Sequence, residues 1–161
     1  MTVSEYNQCV DRHADGVYRF VLKNLRNEDK ARDVVQDSFE KMWVKIDEID
    51  GSKARSYLFT TAYHTMIDSI RRERFSAEMS ELAFNDHSYS GGYSDLKEVL
   101  DEAVSRLPDI QRSVVLLRDY EGYSYHEIGE ITGLSESQVK VYIYRARIAL
   151  KNYIGSLDAV I

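Results

Sequence analysis

The chain has 161 residues and a formal net charge of −6, which allows one medium-sized domain or two small ones. Its single cysteine, Cys9, excludes an internal disulfide framework and fits a reducing compartment. The histidines are scattered without cysteines or carboxylates at ligand spacing, so we expect no metal site and no cofactor. The first residues contain no long apolar run, so we expect no signal peptide, no membrane insertion and a cytoplasmic protein.

The first half of the chain predicts consecutive amphipathic helices. The helix expected over residues 29–46 has an apolar stripe of Val35, Phe39, Met42 and Ile46, with Val34 and Trp43 at its edges. A polar break at residues 47–53 follows, and Gly51 is its turn residue. Another helix is expected over residues 57–74, with Phe59 on its apolar side.

An acidic ridge runs along the helix expected over residues 29–46, well round from its apolar stripe. Its members recur at helical spacing and are Asp33, Gln36, Asp37 and Glu40. Such a ridge suits a basic helical partner through charge-assisted contacts. Most acidic helix faces are only solvated, so the ridge by itself leaves both interpretations open.

Aromatic and basic side chains are concentrated between residues 47 and 74. Bases stack on aromatic rings and phosphates pair with cations, so this composition suits single-stranded nucleic acid. Phe59 belongs to the apolar stripe and is expected in the core, whereas Tyr63 lies at the edge of the stripe. Tyr57 and His64 are the better candidates for an exposed surface.

Residues 76–94 interrupt the helical pattern with a Ser-, Gly- and Tyr-rich stretch that has no core-forming periodicity. We interpret this stretch as a linker between domains at residues 1–75 and 95–161. The alternative is a long surface loop within one domain, but structureless loops of this length are uncommon in compact folds. The sequence therefore predicts an all-α fold of two small helical domains joined by a flexible linker.

Two capping boxes, at residues 124–127 and 135–138, begin two successive helices separated by a turn that contains Gly133. This arrangement predicts a helix-turn-helix in the second half. Gly129 lies inside the first of the two helices, where glycine costs about 1 kcal/mol relative to alanine. Close approach of the two helices is the expected compensation.

The last helix has two contrasting sides. Val139, Ile143, Ala146 and Leu150 define the buried side, and Ser137, Val141, Tyr144 and Ile148 lie opposite. Gln138 and Arg145 lie toward one edge of the exposed side, while Lys140 and Arg147 flank the other edge. This layout is typical of a recognition helix, in which polar and basic side chains reach base edges and flanking cations hold phosphates. A basic helix bound to an acidic partner protein is the alternative.

The two halves together resemble a known family. The run ARDVVQDSF from residue 31 resembles the polymerase-binding helix of sigma factors, and SYLFTTA from residue 56, followed by IDSIRR from residue 67, resembles the region after it. LRDYEGYSYHEI from residue 117, with Val139, Lys140 and the run RAR from residue 145, is similar to their fourth region. Size and layout are similar to the extracytoplasmic-function (group four) subfamily.

The resemblance implies a function for each surface. The ridge of Asp33, Gln36, Asp37 and Glu40 would bind the clamp helices of the largest polymerase subunit. Flipped bases and backbone of the single-stranded minus-ten element would meet Asp50, Gly51, Ser52, Lys53, Arg55, Ser56, Tyr57, His64, Arg71, Arg72 and Arg74. The resemblance and the layout of the last helix together imply the residues that would meet the duplex minus-thirty-five element. These are Arg118, Ser137, Gln138, Lys140, Val141, Tyr144, Arg145 and Arg147.

The implied protein is a sigma factor that directs core RNA polymerase to promoters and helps to open them, with an anti-sigma factor as a further partner. Tyr57 and His64 stand where the family often has tryptophan and asparagine, so the promoter sequence cannot be taken from relatives. A stand-alone helix-turn-helix regulator of duplex DNA and a protein-binding adaptor remain as alternatives. An enzyme is not expected, because the sequence carries no catalytic set or phosphate-binding loop.

Overall fold

The computed structural model describes residues 1–79 and 96–158, and the chain divides into two compact units, residues 1–88 and 89–161. The regular elements of the described residues are all helical, as the sequence predicts. The α-helices are α1 (Val3–Leu25), α2 (Glu28–Val44), α3 (Ala54–Met79), α4 (Leu96–Ser105), α5 (Asp109–Val115), α6 (Tyr125–Thr132) and α7 (Glu136–Asp158). Of the predicted linker, residues 76–79 belong to the last turn of α3, and residues 80–94 lie outside the described residues.

The first unit is built from α1, α2 and α3, which pack around one apolar core. Its fully buried side chains include Val17, Phe20, Met42, Leu58, Phe59 and Met66. The rings of Phe20 and Phe59 lie 5.8 Å apart between their centroids, which links α1 to α3. The burial of Phe59 confirms its predicted place in the core. Cys9 is buried in the same unit, and burial raises the pKa of its thiol, so the thiolate is disfavoured there.

The buried side of α2 differs from the predicted apolar stripe. Ala31, Val34, Ser38 and Met42 are buried, whereas Val35 and Phe39 are half-buried and Trp43 is 48% exposed. The prediction of a stripe centred on Val35 and Phe39 was therefore wrong. Ser38 explains the difference, because its hydroxyl donates a hydrogen bond to the Val34 carbonyl at 2.6 Å and is thereby satisfied without water. A small, internally bonded serine can occupy a core position that hydropathy assigns to the surface.

Two short 3₁₀ turns, Ile46–Glu48 and Gly51–Lys53, connect α2 to α3 where the sequence predicts a polar break. Ile49 lies between them and is buried, which anchors the connection to the core. Asp50 caps the second turn by accepting hydrogen bonds from the Ser52 backbone at 3.0 Å and from the Ser52 hydroxyl at 2.8 Å. These hydrogen bonds hold the pKa of the Asp50 carboxyl below its usual value.

The second unit contains the predicted helix-turn-helix, formed by α6 and α7. The Ser124–Glu127 capping box has both reciprocal bonds, at 3.0 and 3.1 Å. The Ser135–Gln138 box likewise has both, at 2.9 and 3.2 Å. Gly133 ends α6 with a φ of 80°, a conformation that glycine adopts without strain. The predicted starts and the turn are thus confirmed.

Gly129 lies where a side chain would meet the turn of this motif. A Cβ atom at this position would lie 2.8 Å from the Leu134 carbonyl oxygen. The predicted close approach is confirmed, but the neighbour is the backbone of the turn before α7 rather than α7 itself.

α5 precedes this motif and continues into one π-helical turn, Leu116–Tyr120. This turn positions Arg118 and Asp119 beside the motif, and π-turns inside helices often occur at functional sites.

Candidate nucleic-acid and partner-binding surfaces

The acidic ridge of α2 is exposed along its whole length. Asp33, Gln36, Asp37 and Glu40 are all exposed, on the side opposite to the buried Ala31 and Met42. The Gln36 amide donates a hydrogen bond to the Glu40 carboxylate at 3.3 Å, which joins two ridge members. The ridge therefore has the geometry that a partner surface requires, and its binding role stays a prediction.

An apolar groove, which the sequence analysis missed, lies directly beside the ridge. It is lined by Tyr6, Asn7, Val10, Gln36, Phe39, Glu40, Trp43 and Val44. The ring of Tyr6 meets those of Trp43 and Phe39 edge to face, with centroids at 5.1 and 6.3 Å. The Tyr6 hydroxyl donates a hydrogen bond to the Phe39 carbonyl at 3.0 Å. The signal in the sequence was the pair of large aromatic residues at i and i+4, but the prediction placed Phe39 in the apolar stripe and Trp43 at its edge.

The predicted minus-ten residues of the connection and of early α3 differ in accessibility. Asp50, Ser52 and Lys53 are exposed, and Gly51, Ser56 and Tyr57 are half-buried. Arg55 is half-buried, with its guanidinium 5.4 Å from the centre of the Phe59 ring. Burial first, and then Arg55 and Arg12, lower the pKa of the neighbouring His13. Arg55 is thus engaged with the protein itself, whereas the turn Gly51–Lys53 is more open.

The middle and the end of α3 present the remaining members of this set. His64 is exposed, whereas Tyr63 is buried with its ring 5.4 Å from that of His64. Arg71, Arg72 and Arg74 are all exposed, as an interaction with a nucleic-acid backbone requires. Glu73 lies between them and pairs with Lys30 of α2 at 2.5 Å, so its charge is offset locally. Arg71, Arg72 and Arg74 therefore form a basic cluster late in α3, between the exposed carboxylates of Asp68 and Glu78.

The exposed side of α7 has the predicted layout. Val139, Ile143 and Ala146 are buried to 2% exposure or less, whereas Val141, Tyr144 and Ile148 are 45%, 67% and 41% exposed. Ser137, Gln138 and Arg145 are exposed as well. The Gln138 side-chain oxygen accepts the capping hydrogen bond from the Ser135 backbone at 2.9 Å, so this oxygen is already engaged within the protein.

Three of the predicted minus-thirty-five cations are held by neighbouring groups. Arg118 donates a hydrogen bond to the Tyr123 carbonyl at 2.9 Å. Lys140 pairs with Glu136 at 3.7 Å. Arg147 donates to both carboxylate oxygens of Asp119, at 2.6 and 3.3 Å. These contacts orient the side chains before any ligand is present.

Within residues 1–79 and 96–158, no group of three or more histidine, cysteine, aspartate or glutamate side chains is placed to hold a metal ion. In the same part of the chain, no helix combines the length and the apolar character that a membrane span requires.

Comparison with known proteins identifies both units. Residues 9–76 match the family model described as Sigma-70 region 2, and residues 97–150 match the one described as Sigma-70, region 4. The chain is 30% identical over 156 residues, 94% of each protein, to the extracytoplasmic-function RNA polymerase sigma factor SigM of Bacillus subtilis. The chain belongs to the extracytoplasmic-function sigma factors.

Other sigma factors are similar over almost the same length. Identity to SigW of Bacillus subtilis is 28% over 168 residues, 94% of this chain and 90% of that protein. Among solved structures, the sigma factor RpoE of Bartonella quintana, determined with the anti-sigma factor NepR, has a TM-score of 0.82 at 26% identity. That match covers 95% of this chain and 98% of RpoE.

These matches confirm the predicted family and fold of this sigma factor. The order of the two regions is the predicted one, with region 2 before the helix-turn-helix of region 4. A stand-alone regulator is not favoured, because a sigma region 2 occupies the part of the chain where a sensor or dimerisation domain would lie.

Proposed function

We propose that the two units of this sigma factor divide promoter recognition between them. As a sigma factor, the protein directs RNA polymerase to promoters. In our proposal, the first unit binds core polymerase through the acidic ridge and helps to open the minus-ten element. The second unit binds the duplex minus-thirty-five element through the exposed side of α7. The observation that carries the proposal is the occurrence of both sigma regions, in order, on one chain with these two exposed surfaces.

Core polymerase and promoter DNA are the partners of this activity, and the solved relatives support a third. RpoE was determined with the anti-sigma factor NepR, and the structure is similar along nearly all of both chains. An anti-sigma factor that binds this protein is therefore part of the proposal. Because recruitment of polymerase requires no bond-breaking by the sigma factor, we infer a non-enzymatic protein. Because its partner is RNA polymerase, we infer that it acts in the cytoplasm.

Run-off transcription directly tests whether the protein acts as a sigma factor. The protein is added to the host's core RNA polymerase on a library of promoters with randomised minus-thirty-five and minus-ten elements. We expect transcripts only when both proteins are present, and enrichment of defined bases at both elements. A protein that binds enriched duplex sites equally well without polymerase, and that starts no transcript, would contradict the proposal and favour the stand-alone regulator.

The proposed polymerase-binding role of the ridge is tested by Asp37→Arg. The change reverses a charge on an exposed residue, so it should weaken core association at least tenfold while the helical circular dichroism is retained. Asp68→Arg is the matched control, because it makes the same charge change at an exposed position of α3 outside the ridge. Unchanged core affinity of Asp37→Arg would mean that the ridge is only solvated.

A further inference from the structure

Tyr125, the first residue of α6, lies at the meeting point of the cations that flank the recognition helix. The Arg118 guanidinium is 4.5 Å from the centre of its ring. The Lys140 ammonium is 5.7 Å from the same centre. Arg118 comes from the π-helical turn and Lys140 from α7, so the ring of α6 joins three separate elements.

The position of the ring is set by its backbone. Tyr125 directly follows Ser124, whose capping box with Glu127 defines where α6 begins. The first turn of α6 is therefore held by two reciprocal hydrogen bonds, at 3.0 and 3.1 Å. A ring on a capped helix end is a fixed platform, in contrast to a ring on a free loop.

Each neighbouring cation is also held from a second direction. Arg118 is bonded to the Tyr123 carbonyl, and Lys140 is paired with Glu136. Arg147 is bonded to Asp119, and its pKa is raised mainly by Asp119, with Tyr125 as a smaller contributor. The orientation of each cation is therefore set by two groups, the Tyr125 side chain and one carboxylate or carbonyl.

Preorganisation explains what such a platform contributes. Arginine and lysine side chains lose rotamer freedom when they are immobilised on a phosphate. A side chain that is already stacked on an aromatic ring has lost part of that freedom before DNA binds. The π face of tyrosine also attracts both cations, which offsets the repulsion between them.

We propose that Tyr125 is a positioning residue of the minus-thirty-five site, whose ring orients Arg118 and Lys140 toward the DNA backbone. The proposal rests on the proposed function, because it assumes that this surface of the second unit meets the minus-thirty-five element. Tyr125 acts through the two cations, and a direct contact of the ring with a base is not required.

A double-mutant cycle tests the proposal with holoenzyme made from the host's core polymerase. The probe is a fluorescent promoter fragment obtained from the run-off selection, and binding is measured by anisotropy. We expect Tyr125→Leu to weaken binding about tenfold, since contacts to two cations are lost. In the Arg118→Ala background the same change should weaken binding only about threefold, because one of the two contacts is already absent.

Two comparisons separate positioning from a merely structural role. Tyr125→Phe keeps the ring and both cation contacts and removes only the hydroxyl, which also bonds to Arg147, so it should bind within about threefold of the unchanged protein. The cycle of Tyr125→Leu with Arg145→Ala should be additive, because no contact joins these two residues among those described. Tyr125→Gln repeats both cycles with a second side chain, and thermal unfolding establishes that every variant is folded.

The outcomes are distinct. The proposal is overturned if Tyr125→Leu weakens binding by the same factor with and without Arg118, or if Tyr125→Phe is as weak as Tyr125→Leu. If the unchanged holoenzyme binds a promoter with a scrambled minus-thirty-five element as tightly as the selected one, the proposed function of this surface fails instead. The measured coupling therefore bears on Tyr125 once the scrambled promoter has shown that binding depends on the minus-thirty-five element.

Discussion

Truncation of Trp43 tests whether the apolar groove adds to polymerase binding by the acidic ridge. The indole is 48% exposed and lies beside Glu40 in the groove. A tryptophan presents roughly 200 Å², so a partner could cover about 100 Å² of this side chain. At about 25 cal/mol per Å², the cover would contribute up to about 2.5 kcal/mol, or about 60-fold in affinity.

We therefore expect Trp43→Ala to weaken association with core polymerase by between about 10-fold and 60-fold. The assay is titration of fluorescently labelled sigma factor with core enzyme in the absence of DNA. Because the buried part of the indole contacts Tyr6, the free energy of unfolding should also fall, by about 2 kcal/mol. Thermal unfolding must establish that the variant is folded at the assay temperature.

Phe75→Ala is the matched control, because it removes an aromatic side chain that is 64% exposed at the end of α3, outside the groove. It should leave core affinity within about twofold of the unchanged protein, as expected for a surface change outside the contact. A folded Trp43→Ala protein with unchanged core affinity would refute the reasoning. Equal losses for Trp43→Ala and Phe75→Ala would refute it too, since they would show no preference for the groove.

Further expectations concern the second unit and the boundary between the units. Arg145→Ala should weaken holoenzyme binding to the promoter by about 1–3 kcal/mol and relax the base preference at one or two minus-thirty-five positions. Lys140→Ala should weaken binding to all promoter sequences alike and lower the salt dependence of binding by about one phosphate contact. Holoenzyme binding to single-base variants at several salt concentrations measures both, and a uniform loss for Arg145→Ala would exclude base reading. Gly129→Ala should lower the melting temperature despite its better helix propensity, because the new Cβ would approach the Leu134 carbonyl to 2.8 Å; an unchanged or higher value would contradict this. Limited proteolysis should cut within residues 80–94 and leave two helical fragments, and a single resistant core across this stretch would disprove the linker.

The sequence predicted the helical fold because its signals are local. A capping box involves residues three apart, so both starts of the helix-turn-helix were readable and both are confirmed. The two sides of α7 follow from helical periodicity in the same way, and the burial of Val139, Ile143 and Ala146 agrees with it. The exposed ridge of α2 was also predicted correctly, but the apolar groove beside it was not predicted.

The buried face of α2 could not be obtained from hydropathy. Val34 and Met42 are buried as apolar residues should be, but Ser38 between them is buried too because its hydroxyl bonds to the helix backbone. Hydropathy assigns serine to the surface, so the predicted buried side of the helix was centred on Val35 and Phe39 and not on Val34 and Ser38. The error placed Phe39 in the buried stripe and Trp43 at its edge, which concealed the groove.

The sequence by itself determined the family, the all-α fold and the two faces of the recognition helix, since these depend on residue spacing along one chain segment. Only the tertiary structure decided which side chains share a surface. Tyr6 reaches Phe39 across 33 positions, and Arg147 reaches Asp119 across 28. Spacing carries no information about contacts at such separation, because they depend on how whole helices pack. The apolar groove and the cations around Tyr125 are therefore properties of the folded chain.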